Sequence, residues 1–120
     1  MERRLENIRV WQDARKFVNE IYALMRENKD YGFKDQIQRA AVSIMNNIAE
    51  GSECGSDAKL INYLNISKGS CSEVRSMLYL CEDFHYSSSE KREELTASLQ
   101  SITNQIYKLI QYLSGKQVNG

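Results

Sequence analysis

Apolar residues along this chain fall into four runs in which spacings of three and four alternate. The first joins Trp11, Ala14, Val18, Ile21 and Met25, and the second Ile37, Ala41, Ile44 and Ile48. The third runs through Leu60, Leu64, Ser67, Cys71, Val74, Leu78 and Cys81, and the fourth through Leu95, Leu99, Ile102, Ile106, Leu109 and Leu113. This is the pattern of helices that present one stripe to neighbours lying nearly parallel or antiparallel to them. Polar breaks separate the runs. Residues 27–33, ENKDYGF, join the first two. Gly51 follows Glu50 in the position of a C′ glycine, and Gly55-Ser56-Asp57 offers an N-cap for the third helix. Ser87-Ser88-Ser89-Glu90 reads as a capping box for the fourth. Short connections make consecutive helices antiparallel neighbours. The expected fold is therefore all-α, an antiparallel up-down four-helix bundle forming a single domain over residues 1–120.

The third helix carries more than one stripe. Ile61, Tyr63, Ile66, Met77 and Leu80 lie off its seam, so apolar residues reach most of its circumference. A helix of that kind buries itself on more than one side, and a bundle this small has little to cover a second face. Gly69, beside Ser70, costs about 1 kcal/mol in mid-helix. That cost is understandable where another backbone comes close. The pattern points to a homo-oligomer contact at Gly69 and Ser70, with packing inside one chain as the alternative.

Composition narrows the function. The absence of proline and the six scattered glycines suit long helices. Sixteen Lys and Arg balance sixteen Asp and Glu, whereas dedicated nucleic-acid binders usually carry a basic excess. The three cysteines, Cys54, Cys71 and Cys81, include no CxxC pair; Cys71 and Cys81 stand about 15 Å apart on one helix, too far for a disulfide. They read as small buried hydrophobes in a reducing compartment. The start, MERRLENIRVW, has no apolar leader segment, and no apolar run approaches a membrane span. A cytoplasmic protein with no membrane role is expected.

Catalytic constellations are nearly absent. The single histidine, His85, forms one Glu-x-x-His with Glu82, whereas di-iron bundles need two such motifs and two further inward glutamates. GSECG at 51–55 lacks a phosphate-loop lysine and follows a helix, so it is a turn. No enzyme activity, cofactor or metal is expected. Nucleic acid is the better case. Residues 1–34 hold eight basic side chains against six acids, and residues 59–81 hold Lys59, Lys68 and Arg75 against Glu73 alone. Arg9, Arg15, Lys16, Lys59 and Lys68 are the candidate nucleic-acid contacts, which an oligomer would repeat around its axis into a basic ring. The plainer reading is that they solubilise outward faces.

VWQDAR (10–15), IYALM (21–25), YGFKDQIQRAAVSIMNNIAEG (31–51) and YLNISKGSCSEVRSMLYL (63–80) resemble a family of small bacterial four-helix-bundle proteins. That family takes its name from reading frames inside intervening sequences of 23S ribosomal RNA genes. The segment RAAVSI-x-x-NIAEG is the most specific part, with Met45 where the family usually has proline. The resemblance implies a ring-like homopentamer. The chain is also similar, more distantly, to the accessory protein of diversity-generating retroelements, which binds nucleic acid and a reverse transcriptase through a basic pentamer surface. Neither resemblance supplies a catalytic residue.

The resemblance centres on a polar stripe along the second helix: Gln36, Arg39, Ser43, Asn47 and Glu50, flanked by Ala40, Ala41 and Ala49. Polar groups at a close seam must be hydrogen-bonded. The stripe is therefore expected to be a recognition seam between helices or subunits, with Glu73 as the partner of Arg39 and a solvated face as the alternative. Two functions follow. The chain is a non-enzymatic homo-oligomer that binds RNA or DNA through a basic surface, or it is an adaptor whose partner is another protein.

Overall fold

The computed structural model describes residues 4–119, with side chains through residue 115. A single 3₁₀ turn, Leu5–Asn7, precedes helices α1 (Arg9–Met25), α2 (Tyr31–Ser52), α3 (Asp57–Asp83) and α4 (Ser89–Asn119). Among the described residues there is no strand, and no helix is long and apolar enough to cross a membrane. Each helix packs on its neighbours in the cyclic order α1, α2, α3, α4, with α2 against α3 the most extensive pairing. The up-down bundle expected from the short connections is what forms, 50 Å long and 21 Å across.

The core follows the apolar stripes closely. Ile37, Ala41, Ile44 and Ile48 of α2 are buried, as are all seven seam residues of α3. In α4, Leu95, Leu99, Ile102, Ile106 and Leu113 are buried, with Leu109 half-buried beside them. In α1 the stripe differs from the expectation in part. Val10, Ala14, Phe17, Ile21 and Met25 are buried, while Trp11 and Val18 flank the core half-buried. Ala14, Ile21 and Met25 are common to both stripes, which keep the same three-four spacing and differ only in a small turn of the helix. Phe17 is sealed in the core, while the Trp11 ring flanks it half-buried, with its indole N–H covered and without a hydrogen-bond partner among the described residues.

Local chemistry explains where the helices begin. The Asp30 side chain accepts the Phe33 N–H at 3.3 Å, so α2 starts within the stretch expected to be linker. Ser56 caps α3 by accepting the Lys59 N–H at 3.3 Å. For α4 the capping hydroxyl is Ser88, which accepts the Lys91 N–H at 3.0 Å, one residue later than the expected box; Ser87 Oγ is buried and makes no hydrogen bond.

Gly51 also has a different role from the one its position suggested. It lies inside α2 and is buried, and the left-handed glycine of this connection is Gly55, with φ 75°. A Cβ at Gly51 would sit 2.9 Å from both Leu60 Cδ1 and Tyr63 Cβ. Glycine is needed there because α2 and α3 almost touch, and the absence of a side chain is what lets them.

Two stability outcomes follow from these contacts. Gly51→Ala forces Tyr63 Cβ and the α3 backbone behind it to move, and should cost about 1–3 kcal/mol in urea unfolding. Gly32→Ala, exposed in the first turn of α2 with nothing within 4 Å, should gain up to about 1 kcal/mol by helix propensity. Burial also pushes the Cys71 and Cys81 thiols up to about 11, with a hydrogen bond involving Thr103 opposing the rise at Cys71. The native state therefore holds these protons longer than the unfolded chain does. Their stabilisation is whole below pH 9 and is lost as pH rises through 11. Unfolding measured across that range should show a shallower pH slope in the Cys71→Ala, Cys81→Ala double variant. In the native protein at pH 8 a thiol reagent should titrate half-buried Cys54 first.

Candidate interaction surface

The polar stripe of α2 divides into two sets once α3 is in place. Facing α3, Ser43 Oγ and Ser70 Oγ share a hydrogen bond at 2.8 Å, and Asn47 Nδ2 donates to Ser43 O at 2.8 Å and to Ser43 Oγ at 3.0 Å. Ser67, fully buried, donates its hydroxyl to Ile44 O at 2.8 Å. Gln36 Nε2 donates to Glu73 Oε2 at 3.5 Å near the start of α2. Small side chains at Ala40 and Ala41 and the bare backbone at Gly51 bring the helices close enough for short side chains to reach across. Buried Ser67 and the half-buried Ser43, Asn47 and Ser70 each find a partner, as polar groups withdrawn from water must. Gln36, Ser43, Asn47, Ser70 and Glu73 thus meet in one seam between helices of the same chain.

Arg39 and Glu50 stand apart from it. Arg39 Nε pairs with Asp35 Oδ2 at 2.9 Å, one turn back on the same helix, and the expected contact with Glu73 does not form. Gln36 occupies Glu73, and the nearest free carboxylate to an arginine on an outer helix face is the one four residues away. With both groups largely exposed (79% and 64%), this pair adds little to stability. Arg39 and Glu50 line an open groove with Tyr22 of α1 and with Val42, Ser43, Asn46 and Asn47 of α2, so Ser43 and Asn47 border both this groove and the seam.

The candidate basic contacts are distributed over two helices that face each other diagonally across the bundle. On α1, Arg9 lies 3.8 Å from Asp13 and the Arg15 guanidinium sits 5.8 Å over the Trp11 ring. Lys16 lines a groove between α1 and α4 with Asp13, Glu20, Ser98 and Ser101. On α3, Lys59 borders a groove with Cys54, Asn62, Tyr63 and Ile66, and Lys68 Nζ lies 5.9 Å over the Tyr107 ring of α4. One chain does not join the two groups into a single patch. Gly69 is exposed on α3 with nothing within 4 Å of a Cβ built there. Packing inside this chain therefore does not account for glycine at that position.

The Glu-x-x-His pair does not form a unit. Arg92 takes Glu82 Oε1 at 2.9 Å while its guanidinium lies 4.7 Å over the Tyr79 ring, a lock between α3 and α4. His85 leaves the helix with φ 62°. At the same end of the bundle, Phe33, Phe84 and Tyr86 meet edge to face with centroids 5.4 to 6.1 Å apart. The Tyr86 hydroxyl donates to Asp30 Oδ2 at 2.7 Å, which raises the Tyr86 pKa because the carboxylate favours the protonated phenol. This cluster escaped the periodicity reading because its residues lie in or beside the connections. The signal for it was the presence of aromatics at both connections, DYGF and DFHY, which an up-down topology brings to one end.

Ser67→Ala should lower stability by about 1 kcal/mol through loss of a buried hydrogen bond. Arg39→Ala should stay within about 0.5 kcal/mol of the parent. Urea unfolding of the two variants side by side separates the seam from the outer face.

These features can be set beside known proteins. Residues 6–108 match the family model described as 23S rRNA-intervening sequence protein. A crystal structure of a protein with unknown function from the S23 ribosomal protein family of Bacteroides thetaiotaomicron is similar, with a TM-score of 0.79 and 28% identity. The match covers 84% of this chain and 97% of that one. No curated protein matches. The matched span takes in α1, α2, α3, the α2–α3 seam and most of α4, and the chain belongs to the 23S rRNA-intervening sequence protein family.

Proposed function

We propose that this protein works by binding rather than by catalysis, as a cytoplasmic, ring-like homo-oligomer of five chains that contacts nucleic acid through repeated basic side chains. The observation that carries the reading is the outward face of α3. Ile66 is 52% exposed there, Gly69 lies open beside it, and Lys59 and Lys68 border the same face. An apolar residue and a bare backbone flanked by polar groups suit contact with another copy. A repeat of Arg9, Arg15, Lys16, Lys59 and Lys68 around an axis would sum fields that are weak in a neutral single chain. The names of the family and of the solved relative, intervening-sequence protein and ribosomal protein family, favour RNA as the nucleic acid. Exposed Tyr79, Leu80 and Phe84 favour a second reading, an adaptor that holds another protein and never meets RNA.

Light scattering should give a mass five times that of the 13.9 kDa chain. Gly69→Leu should lower that mass while raising the helix stability of the dissociated chain, since leucine outranks glycine by close to about 1 kcal/mol on an open helix surface. A structured RNA should bind with affinity that falls as salt rises, and the Arg15→Glu, Lys16→Glu variant should abolish that binding. Binding insensitive to salt, or a monomer that retains a protein partner, would place the adaptor reading ahead.

A further inference from the structure

The α1–α2 connection gathers cations that the fold leaves without acidic partners. Arg26, Lys29 and Lys34 line one open groove of about 420 Å³ with Glu27, Asn28 and Tyr31. Lys34 Nζ donates to Arg26 O at 3.2 Å, which ties both ends of the connection together. Among the described residues, none of the three cations has a carboxylate within ion-pair distance. The neighbouring acids are engaged elsewhere. Asp30 accepts the Phe33 N–H with Oδ1 and the Tyr86 hydroxyl with Oδ2, and Asp35 is paired with Arg39. Only Glu27 opposes the three cations in the groove.

Tyr31 stands beside them, 69% exposed, on the rigid first turn of α2. Phe33, Phe84 and Tyr86 at this end meet one another edge to face, whereas the Tyr31 ring makes no ring contact among the described residues. Point cations suit phosphates, and a bare aromatic face suits an unstacked base. A duplex keeps its base faces covered, so the combination selects a single strand.

We infer that the α1–α2 turn is a binding site for a single-stranded nucleic-acid segment, with Arg26 and Lys29 on its phosphates and one base stacked on Tyr31. This inference rests on the nucleic-acid reading above and adds, to the contacts on the faces of α1 and α3, one at an end of the bundle. Lys34 is a positioning residue, since its ammonium already holds the turn.

The test is fluorescence anisotropy of the full chain with a short labelled oligo(U) strand and, in parallel, oligo(dT). Circular dichroism melting confirms that each variant is folded. Tyr31→Ala should weaken binding by about tenfold, the loss of one stacked base, while Tyr31→Phe retains it. Lys29→Ala should reduce the salt slope of log K by about 0.7, the share of one phosphate on a single strand. Glu27→Gln should tighten binding. Equal affinity for both strands assigns the recognition to phosphate and base alone, and preference for oligo(U) adds the ribose hydroxyl; either outcome supports the site. If Arg15→Glu, Lys16→Glu abolishes binding while the turn variants match the parent, the nucleic-acid reading stands and this site falls. If the parent binds neither strand and no structured RNA, both fall. Equal competition by duplex DNA or polyglutamate, with Tyr31→Ala unchanged, would reduce the turn to a generic anion surface and overturn the inference.

Discussion

At Gly51 the backbone of α2 passes so near α3 that a methyl group would meet Leu60 and Tyr63 at 2.9 Å. The rest of the seam depends on that approach. Two helices that close cannot separate their facing side chains by long aliphatics, so the positions between them must be small. Alanines at 40 and 41 and serines at 43, 67 and 70 meet that limit, and the serines must then hydrogen-bond across or back onto a helix carbonyl. The seam is polar because it is tight.

The other helix pairings answer to a different rule. α4 meets α3 and α1 through Leu95, Leu99, Ile102 and Ile106, side chains large enough to fill the wider spacing. Polar ties there are set among the apolar contacts, as in the hydrogen bond between buried Cys71 and Thr103. Arg92 with Glu82 and Tyr79 fixes α4 on α3, and Gln105 donates to Asp13 across α4 and α1 at 2.9 Å. The bundle therefore has one narrow and specific seam, with broad apolar contacts closing the circle.

Much of this was legible before any coordinate. Every position on the α2 and α3 stripes of three-four spacing is buried, because burial on a regular helix follows angle, while Ala40, Gly51 and Met77 are buried beside those stripes. The alternation failed where two overlapping stripes satisfied the same rule, as at Val10 and Phe17 against Trp11 and Val18. Gly51 was misread because a glycine after a helical run can end the helix or admit a neighbour, and local sequence does not distinguish them. Of the polar stripe, Gln36, Ser43 and Asn47 hydrogen-bond at the α2–α3 seam, whereas Arg39 pairs with Asp35 on its own helix rather than with Glu73. Which carboxylate an arginine finds depends on the rotation of the helix about its axis, which spacing leaves open. The end cluster around Asp30 and Tyr86 was invisible to periodicity, since it joins two connections that regular helices only bring together in three dimensions.

Asp30 has one further meaning. Its two carboxylate oxygens serve different partners, one starting α2 and the other holding Tyr86, which lies 56 residues away. The first bond is local and can form as soon as the α1–α2 hairpin does. The second requires the α3–α4 hairpin to have formed and to have docked with its turn at the same end. Loop closure over that distance is slow compared with turning a helix. The same side chain thus ties the start of one helix to the docking of two hairpins, so its loss would loosen both at once.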